Sequence, residues 1–218
     1  MTHASADMQA YYAARASYYD AVYLKPERQA DIAFLSDHLP ARLSGRRVLE
    51  VACGTGYWTQ HIAPRAAAMT ATDGTAEPLD FARQRPGADR VIFRQVDAYA
   101  LPTDLGTFDA AFAGLWLSHV PVQARTAFLQ GLHTRLAPGA RVLFIDNNEV
   151  QLRDFPIAET DAHGNTYQHR TLRDGSVHRV LKNFPQEAEL RELLAPKARD
   201  VRWQNLQNFW LLEYELPG

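Results

Sequence analysis

A run of apolar, acidic and small residues between positions 48 and 56, Val-Leu-Glu-Val-Ala-Cys-Gly-Thr-Gly, carries the clearest chemical signal in the sequence. Its apolar residues suit a buried parallel strand, and Gly54 and Gly56 permit a tight turn that lets a ligand approach the backbone closely. A helix that begins at Tyr57 would point its unpaired N–H groups back toward that ligand. The run therefore predicts a nucleotide-type binding site.

Two aspartates follow at the ends of the next two strand candidates, where ligands bind in parallel sheets. Asp73 lies 19 residues after Gly54, and a carboxylate at that place can accept hydrogen bonds from both hydroxyls of a ribose. Asp97 can accept from an exocyclic amine while the backbone N–H of Ala98 donates to the ring, and adenine offers both groups. The aspartates and the glycines together predict a ligand that contains adenosine.

These residues need a sheet that brings strand ends together at one edge. The strand candidates are 47–52, 67–72, 91–96, 108–114 and 140–145, and they alternate with helical or loop segments around 57–63, 76–84 and 122–136. This alternation predicts an α/β fold with a parallel, doubly wound sheet and right-handed crossovers.

The regions before and after this core have a different pattern. Residues 8–24 and 26–39 are helix candidates, the first rich in alanine and tyrosine and the second starting at a proline. The dipeptide Asp174-Gly175 separates two extended runs, 166–173 and 176–182, and predicts a two-residue β-hairpin. A helix over 184–194 and closing strands over 200–206 and 208–216 complete the chain. The hairpin is either a lid over the site or a surface ribbon without a catalytic role.

The length of 218 residues suits one sizeable α/β domain. We expect a single domain over 1–218 that comprises an N-terminal helical cap (1–40), a cofactor-binding core (41–150), an insertion with the β-hairpin (151–183) and a C-terminal helix with closing strands (184–218).

The charge balance indicates the kind of partner. The chain has 23 basic and 25 acidic residues and a formal net charge of −2, which provides no broad basic surface for nucleic acid or an anionic membrane. A small molecule is the more natural partner. Cys53 is the only cysteine, so a disulfide within the chain is excluded. The first thirty residues do not read as a secretory signal, and no stretch is apolar enough to span a membrane. We expect a cytoplasmic protein that is a monomer or a homodimer.

Several segments resemble, in order and spacing, the class I S-adenosylmethionine-dependent methyltransferases over about residues 40–146. They are Glu50-Val-Ala-Cys-Gly-Thr-Gly56, Thr72-Asp-Gly-Thr-Ala-Glu-Pro-Leu79, Val96-Asp-Ala98, Phe108-Asp109 and Leu136-Ala-Pro-Gly-Ala-Arg-Val142. The resemblance implies a Rossmann-like, seven-stranded sheet that is mostly parallel with an antiparallel C-terminal strand. It also implies S-adenosylmethionine as the cofactor and S-adenosylhomocysteine as its product.

The resemblance assigns roles to individual residues. Gly54 and Gly56 would approach the methionine portion, Asp73 would bind the ribose, and Asp97 and Ala98 would hold the adenine. The acidic residue of the first segment would support the loop or the amino end of the ligand, and a backbone carbonyl after the fourth strand would hold its ammonium group. The other candidates for cofactor binding are Tyr11, Arg15, Glu50, Ala52, Trp58, Gly74, Leu115 and Trp116.

The glycine loop departs from two patterns. Ala52 and Cys53 replace the glycine and small residue of many relatives, although both side chains remain small. Thr59 stands where a dinucleotide-binding loop would have its third glycine. S-adenosylmethionine has no pyrophosphate and needs fewer glycines. A nicotinamide-dependent oxidoreductase and a non-catalytic, donor-binding member of the fold are the alternative hypotheses.

Methyl transfer is an in-line displacement, so a catalytic base is optional and alignment of the acceptor is the main requirement. His119 is the leading candidate for a base, because it follows the fourth strand near the expected methyl group. The alternative is a histidine that only hydrogen-bonds the loop. Trp116 either stacks on adenine or on an aromatic acceptor, or belongs to the core.

The cap supplies a second catalytic candidate, Tyr19. Tyr11, Arg15 and Tyr19 share a helix face at spacings of four, and Arg15 would suit the carboxylate of the donor. The alternative is a helix that simply packs its aromatic side against the sheet. Asp146, followed by two asparagines, ends the fifth strand and can orient a polar acceptor.

Three histidines, at positions 163, 169 and 178, lie in or near the hairpin. They lack tight ligand spacing, and a methyl displacement requires no metal, so we expect no metal site.

The sequence as a whole predicts methyl transfer to a nitrogen or oxygen of a small-molecule acceptor.

Overall fold

A computed structural model describes the backbone of residues 3–218, and the side chains of that range except those of residues 3–7 and 9. The strands in chain order are β1 (Arg47–Val51), β2 (Ala68–Asp73), β3 (Val91–Gln95), β4 (Phe108–Gly114), β5 (Leu136–Asn147), β6 (Glu159–Thr160), β7 (Thr166–Thr171), β8 (Val177–Leu181), β9 (Arg199–Asn205) and β10 (Phe209–Glu215). The α-helices are α1 (His3–Arg15), α2 (Gln29–Arg42), α3 (Thr59–Ile62), α4 (Ala76–Ala82), α5 (Arg125–His133) and α6 (Glu187–Leu194).

The main sheet has seven strands in the order β3-β2-β1-β4-β5-β10-β9. Strands β1 to β5 are paired in parallel, and β10 runs antiparallel to both β5 and β9. The central strand β1 is buried on both faces, which explains its nearly continuous apolar sequence. The predicted Rossmann-like fold with an antiparallel C-terminal strand is confirmed.

Helices cover both faces of the main sheet. On one face, apolar residues of α5 and α6, among them Phe128 and Leu190, form a core with β4, β5 and β10. On the other face, α2 and α3 pack through residues such as Leu35 and Ile62. The two cores leave the carboxyl ends of the parallel strands facing the N-terminal cap, and this edge is where the site lies.

The first helix of the cap ends earlier than the alanine and tyrosine pattern predicts. α1 ends at Arg15, and the chain continues as a 3₁₀ segment, Ala16–Val22, with a kink at Tyr18. The kink brings the ring of Tyr19 within 5.8 Å of that of Tyr12 and within 6.1 Å of that of Tyr23, as measured between ring centroids. Packing of these rings therefore replaces regular helix geometry where the cap faces the sheet.

The predicted hairpin forms a second, three-stranded sheet with the order β6-β7-β8. Its turn has three residues, Arg173 to Gly175, where the sequence predicts two. The N–H of Gly175 donates to Leu172, and Gly175 adopts a left-handed conformation with φ of 85°. Glycine is the residue that a three-residue turn prefers at this last position.

In the described part of the chain, no helix combines the length and the apolarity that crossing a membrane requires.

Candidate active site

A cavity of about 840 Å³ lies between the cap and the carboxyl ends of β1, β2 and β4. This volume suits a cofactor-sized ligand, because such pockets commonly enclose about 300–1,000 Å³. Most of the residues that the sequence predicts for the site line it: Tyr19, Glu50, Ala52, Gly54, Trp58, Asp73, Gly74, Asp97, Ala98, Leu115, Trp116 and His119. Tyr11, Arg15 and Gly56 lie outside its wall. We call it the donor cavity.

The loop after β1 is built from unusual backbone conformations. Ala52, Gly54 and Gly56 have φ of 54°, 56° and 73°. The N–H of Gly54 donates to Asp73 Oδ2 at 2.9 Å, and the N–H of Thr75 donates to Asp73 Oδ1 at 3.0 Å. Asp73 therefore holds the glycine loop against the end of β2. Burial raises the pKa of this carboxyl, and the hydrogen bonds from Thr75 and Gly54 oppose that rise.

Glu50 lies beneath the same loop and is 1% exposed. Thr59 Oγ1 donates to Glu50 Oε2 at 2.5 Å. Burial raises the pKa of Glu50 to about 8, so the carboxyl is mostly protonated at neutral pH. A cation bound in the donor cavity would favour the ionised form of Glu50 and so strengthen its own binding.

Aromatic side chains form the opposite end of the donor cavity. The rings of Tyr99 and Trp116 lie 5.9 Å apart between centroids, and the N–H of Tyr99 donates to Asp97 Oδ1 at 2.9 Å. The indole nitrogen of Trp116 is buried and has no hydrogen-bond partner among the described residues. The two rings, the Asp97 carboxylate and this unpaired donor together suit a planar base with polar edges.

A second cavity of about 130 Å³ adjoins the first, and we call it the small cavity. The two cavities share Tyr12, Tyr19, Leu115 and His119, which therefore stand at their junction. Leu115 is held there by a left-handed backbone with φ of 58° at the end of β4. Around the rest of the small cavity are cationic and amide side chains: Arg15, Lys25, Arg28, Asn147, Gln151, Arg170 and Lys182.

His119 is held on both sides of its ring. Its Nδ1 lies 2.5 Å from the carbonyl oxygen of Leu181 and must donate there, because a carbonyl can only accept. Its Nε2 then accepts from the hydroxyl of Tyr12 at 2.8 Å. Burial, assisted by the nearby charge of Lys182, lowers the pKa of His119 to about 3. The imidazole is therefore neutral, with both nitrogens in use, and its role as a catalytic base stays a prediction.

The buried state of His119 predicts a pH dependence of stability. Its pKa is about 3 in the folded protein and about 6.5 when unfolded. Between these values the unfolded chain binds one proton more, so the free energy of unfolding falls as the pH falls. From pH 7.5 to 5.0 the free energy of unfolding should fall by about 2 kcal/mol more in the wild-type protein than in His119→Gln. Urea unfolding at the two pH values measures this.

The exposed histidine at position 163 provides the matched control. His163→Gln should keep the full pH dependence of the wild-type protein, because the side chain it replaces is exposed to water in the folded protein, unlike that of His119. Equal pH dependence of His119→Gln and the wild-type protein would contradict a neutral, buried imidazole.

A buried ion pair joins the hairpin to the main sheet. Lys182 Nζ donates to Asp146 Oδ1 and to Ser118 Oγ, both at 2.7 Å. The N–H of Ser118 donates to Asp146 Oδ2 at 2.9 Å. Burial alone would raise the pKa of Asp146, but the opposing effects, led by the charge of Lys182 and including the hydrogen bonds from Lys182 and Ser118, together outweigh it and the pKa is lowered. Asp146, predicted to orient an acceptor, thus fixes a lysine that lines the small cavity.

Several residues that line the small cavity were not predicted from the sequence, among them Tyr12 and the cations Lys25, Arg28, Arg170 and Lys182. Tyr12 lies within the tyrosine-rich segment, and that composition was the only feature of the sequence that could have indicated it. The cations carry no motif, because a lysine or arginine in a sequence gives no sign of whether it is buried. Tyr11, which was singled out, packs instead against Leu172 and Val180.

The three histidines near the hairpin lie outside both cavities. His169 contacts Glu159 at 2.8 Å, and His178 contacts Ser176 at 2.9 Å. Among the side chains that the structure describes, no group of three or more histidine, cysteine or acidic residues is arranged to hold a metal ion.

Comparisons with known proteins agree with this geometry. A family model described as "Methyltransferase domain" matches residues 48–139. The solved complex of DhpI with SAH is 33% identical, covers 100% of this chain and 99% of that one, and superimposes with a TM-score of 0.81. A complex of DhpI with SAM and HEP is 34% identical, with full coverage of both chains and a TM-score of 0.81.

A curated relative is the ubiquinone biosynthesis O-methyltransferase of Azotobacter vinelandii, which is 35% identical over 116 residues. That match covers 52% of this chain and 48% of the relative. The matched region spans about half or less of the length of the curated relatives.

The chain belongs to the class I S-adenosylmethionine-dependent methyltransferases. It is an enzyme with S-adenosylmethionine as its cofactor, which argues against the nicotinamide-dependent alternative. The donor cavity fits this cofactor, because Asp73 can receive ribose hydroxyls, the rings beside Asp97 can enclose adenine, and the loop around Gly54 leaves its backbone open to the cavity. The bound cofactor supplies a methyl group on a positively charged sulfur.

Proposed function

We propose that the enzyme transfers the methyl group to an oxygen of a small, anionic acceptor bound in the small cavity. One observation carries this proposal. The guanidinium groups of Arg15, Arg28 and Arg170 all line that cavity, and none forms an ion pair with a carboxylate among the described side chains. Together they provide a site for an oxyanion such as a phosphate, phosphonate or carboxylate group.

Burial makes these unpaired cations costly unless an anion joins them. Arg28 is 5% exposed and Arg170 is 4% exposed. Arg170 is hydrogen-bonded to Gln168 and to the hydroxyl of Tyr12, both neutral groups. Burial lowers the pKa of Arg28. A buried charge without a counterion is unfavourable, so an anionic ligand would gain from compensating it.

The other two cations of the small cavity already have partners. Lys25 pairs with Asp154, and Lys182 pairs with Asp146. Five cationic side chains therefore line the cavity, and three carboxylates offset them because Glu27 also lies 3.8 Å from Lys25 Nζ, which leaves a surplus of two positive charges. A neutral amine or alcohol would leave that surplus uncompensated.

The size of the small cavity limits the acceptor. Its volume of about 130 Å³ is close to that of an engineered cavity of about 150 Å³ that admits benzene. An acceptor with a few heavy atoms fits, with its anionic group among the arginines. The junction at Tyr19 and Leu115 would direct its reactive oxygen toward the donor cavity.

An oxyanion also suits the state of His119. An ionised oxygen needs no base to remove a proton. Its attack on the methyl carbon forms a carbon–oxygen bond as the carbon–sulfur bond breaks, and S-adenosylhomocysteine leaves with the electron pair of that bond. In this proposal His119 orients the hydroxyl of Tyr12, and Tyr12 in turn helps to place Arg170. Tyr19, whose pKa is raised by burial, stays neutral at the junction and closes it against water.

The comparisons support a small-molecule acceptor. The DhpI complex contains SAM and HEP together. The relative from Azotobacter vinelandii is an O-methyltransferase of ubiquinone biosynthesis. Oxygen is therefore preferred here over nitrogen as the acceptor atom.

The test is transfer of labelled methyl groups from S-adenosylmethionine to a panel of small compounds. The panel pairs each phosphonate, phosphate and carboxylate with a neutral alcohol, amine or phenol of similar size. We expect label in esters of the anions. Arg28→Met should lower kcat/KM by about 10- to 100-fold through the loss of a charged hydrogen bond, with S-adenosylhomocysteine affinity unchanged.

Arg173→Met is the matched control, because Arg173 is exposed, stacks over Tyr18 and lies outside both cavities. It should leave kcat/KM unchanged. Methylation of the neutral compounds alone, or an Arg28→Met enzyme as active as the wild type, would refute the anionic acceptor.

A further inference from the structure

One carboxylate of the cap contacts the glycine loop after β1 (residues 52–56), which we call the donor loop. Thr55, between the two glycines of that loop, donates its hydroxyl to Asp20 Oδ1 at 2.6 Å. Arg85, which follows α4, donates to the other carboxylate oxygen of Asp20. Arg85 Nε also donates to the carbonyl oxygen of Thr55 at 2.9 Å. The three residues form a closed network between the cap, the donor loop and the end of α4.

The segment that carries Asp20 forms part of the wall of both cavities. Ala16 lines the donor cavity and Arg15 lines the small cavity, while Tyr12 and Tyr19 line both. Asp20 lies immediately after Tyr19, so the position of Thr55 influences where this segment sits. Thr55 itself lines the donor cavity and is 4% exposed. A ligand that orders the donor loop would therefore also order a wall of the small cavity.

We propose that Asp20 is a positioning residue that couples donor binding to the position of the cap, and through the cap to assembly of the acceptor site. This inference rests on the proposed function only in taking the small cavity as the acceptor site. The coupling requires that the cap be more mobile when no donor is bound to order the donor loop. It acts through the hydrogen bonds of one carboxylate, which an amide of the same shape would weaken.

The chain offers a matched comparison at Asp154. This carboxylate also binds the cap, because it accepts from Lys25 Nζ at 2.5 Å. It directly follows the 3₁₀ segment Glu149–Arg153, and its carboxylate bonds to Lys25 and to no residue of the donor loop. Asp154→Asn therefore removes a carboxylate contact of the cap without touching the path from Thr55.

The experiment is hydrogen exchange of the wild-type protein, Asp20→Asn and Asp154→Asn, each with and without saturating S-adenosylhomocysteine. In all three proteins the ligand should slow exchange over residues 52–58. Over residues 11–22 it should slow exchange by about tenfold in the wild type and in Asp154→Asn, within the usual range of coupling between sites. In Asp20→Asn the slowing over 11–22 should be less than about twofold.

Thr55→Val provides a second variant, which removes the donor of the same hydrogen bond should Asp20→Asn fail to fold. It should show the same loss of ligand-dependent protection over residues 11–22. Protection of 11–22 that persists in both variants, or its absence in the wild type, would overturn the coupling. The experiment contains no acceptor, so its result is independent of whether the acceptor is anionic.

Discussion

Lys182→Met is expected to lower the free energy of unfolding by about 3–5 kcal/mol, because it leaves the charge of Asp146 buried without its partner. The lysine is 1% exposed and the aspartate 0% exposed, with 2.7 Å between Nζ and Oδ1. The bond also ties the end of β8 to the end of β5. Urea unfolding of the purified variant measures the loss, and methyl transfer should fall with it because Lys182 lines the small cavity.

Two further variants separate the buried charge from a general loss of packing. Lys182→Met combined with Asp146→Asn should recover part of the stability, because the unpaired charge is gone while an oxygen remains for the N–H of Ser118. Lys25→Met breaks a half-exposed pair with Asp154 and should cost less than about 1 kcal/mol. If Lys182→Met cost no more than Lys25→Met, the buried pair would not be the cause.

Gly56→Ala is the second substitution with a large expected effect. The residue has φ of 73°, where a side chain costs about 1–2 kcal/mol. Its new Cβ would lie 2.9 Å from the Cα and Cβ of Ala82, and such overpacking typically costs about 1–3 kcal/mol. We expect a loss of about 2–5 kcal/mol in the free energy of unfolding. Calorimetry should also show weaker binding of S-adenosylhomocysteine, because α4 and the donor loop must separate.

Gly54→Ala is the control in the same loop. Gly54 has φ of 56°, but a Cβ there would meet no atom within 4 Å. Without ligand, the free energy of unfolding of this variant should fall by only about 1–2 kcal/mol, the cost of a side chain at positive φ. Equal losses of stability at the two glycines would show that the contact with Ala82 is unimportant.

The sequence was sufficient to predict the fold and the donor chemistry because both depend on local patterns. Apolar strands of five or six residues, glycines at turns and aspartates after strands follow from backbone geometry alone, and the family and the fold that they predict are confirmed. The roles of Asp73, Asp97 and the other donor residues stay predictions, although most of them meet in one cavity.

The acceptor side could not be predicted in the same way. Arg28 comes from the cap, whereas Arg170 and Lys182 come from the hairpin, and their burial depends on how these two parts pack against the main sheet. The pattern also placed Arg15 toward the donor, whereas the structure places it in the wall of the small cavity. Tertiary packing, which leaves no periodic trace in a sequence, decides each of these positions.

The residues that face the two cavities are divided along the chain. Most of the donor cavity is formed within residues 48–139, whereas every cation of the small cavity comes from residues 15–28 or 170–182. Acceptor choice can therefore change by exchange of two segments, the N-terminal cap and the internal hairpin, while the residues that line most of the donor cavity stay the same. Chimeras that carry the cap and the hairpin of one methyltransferase on the core of another are a direct route to new substrate ranges.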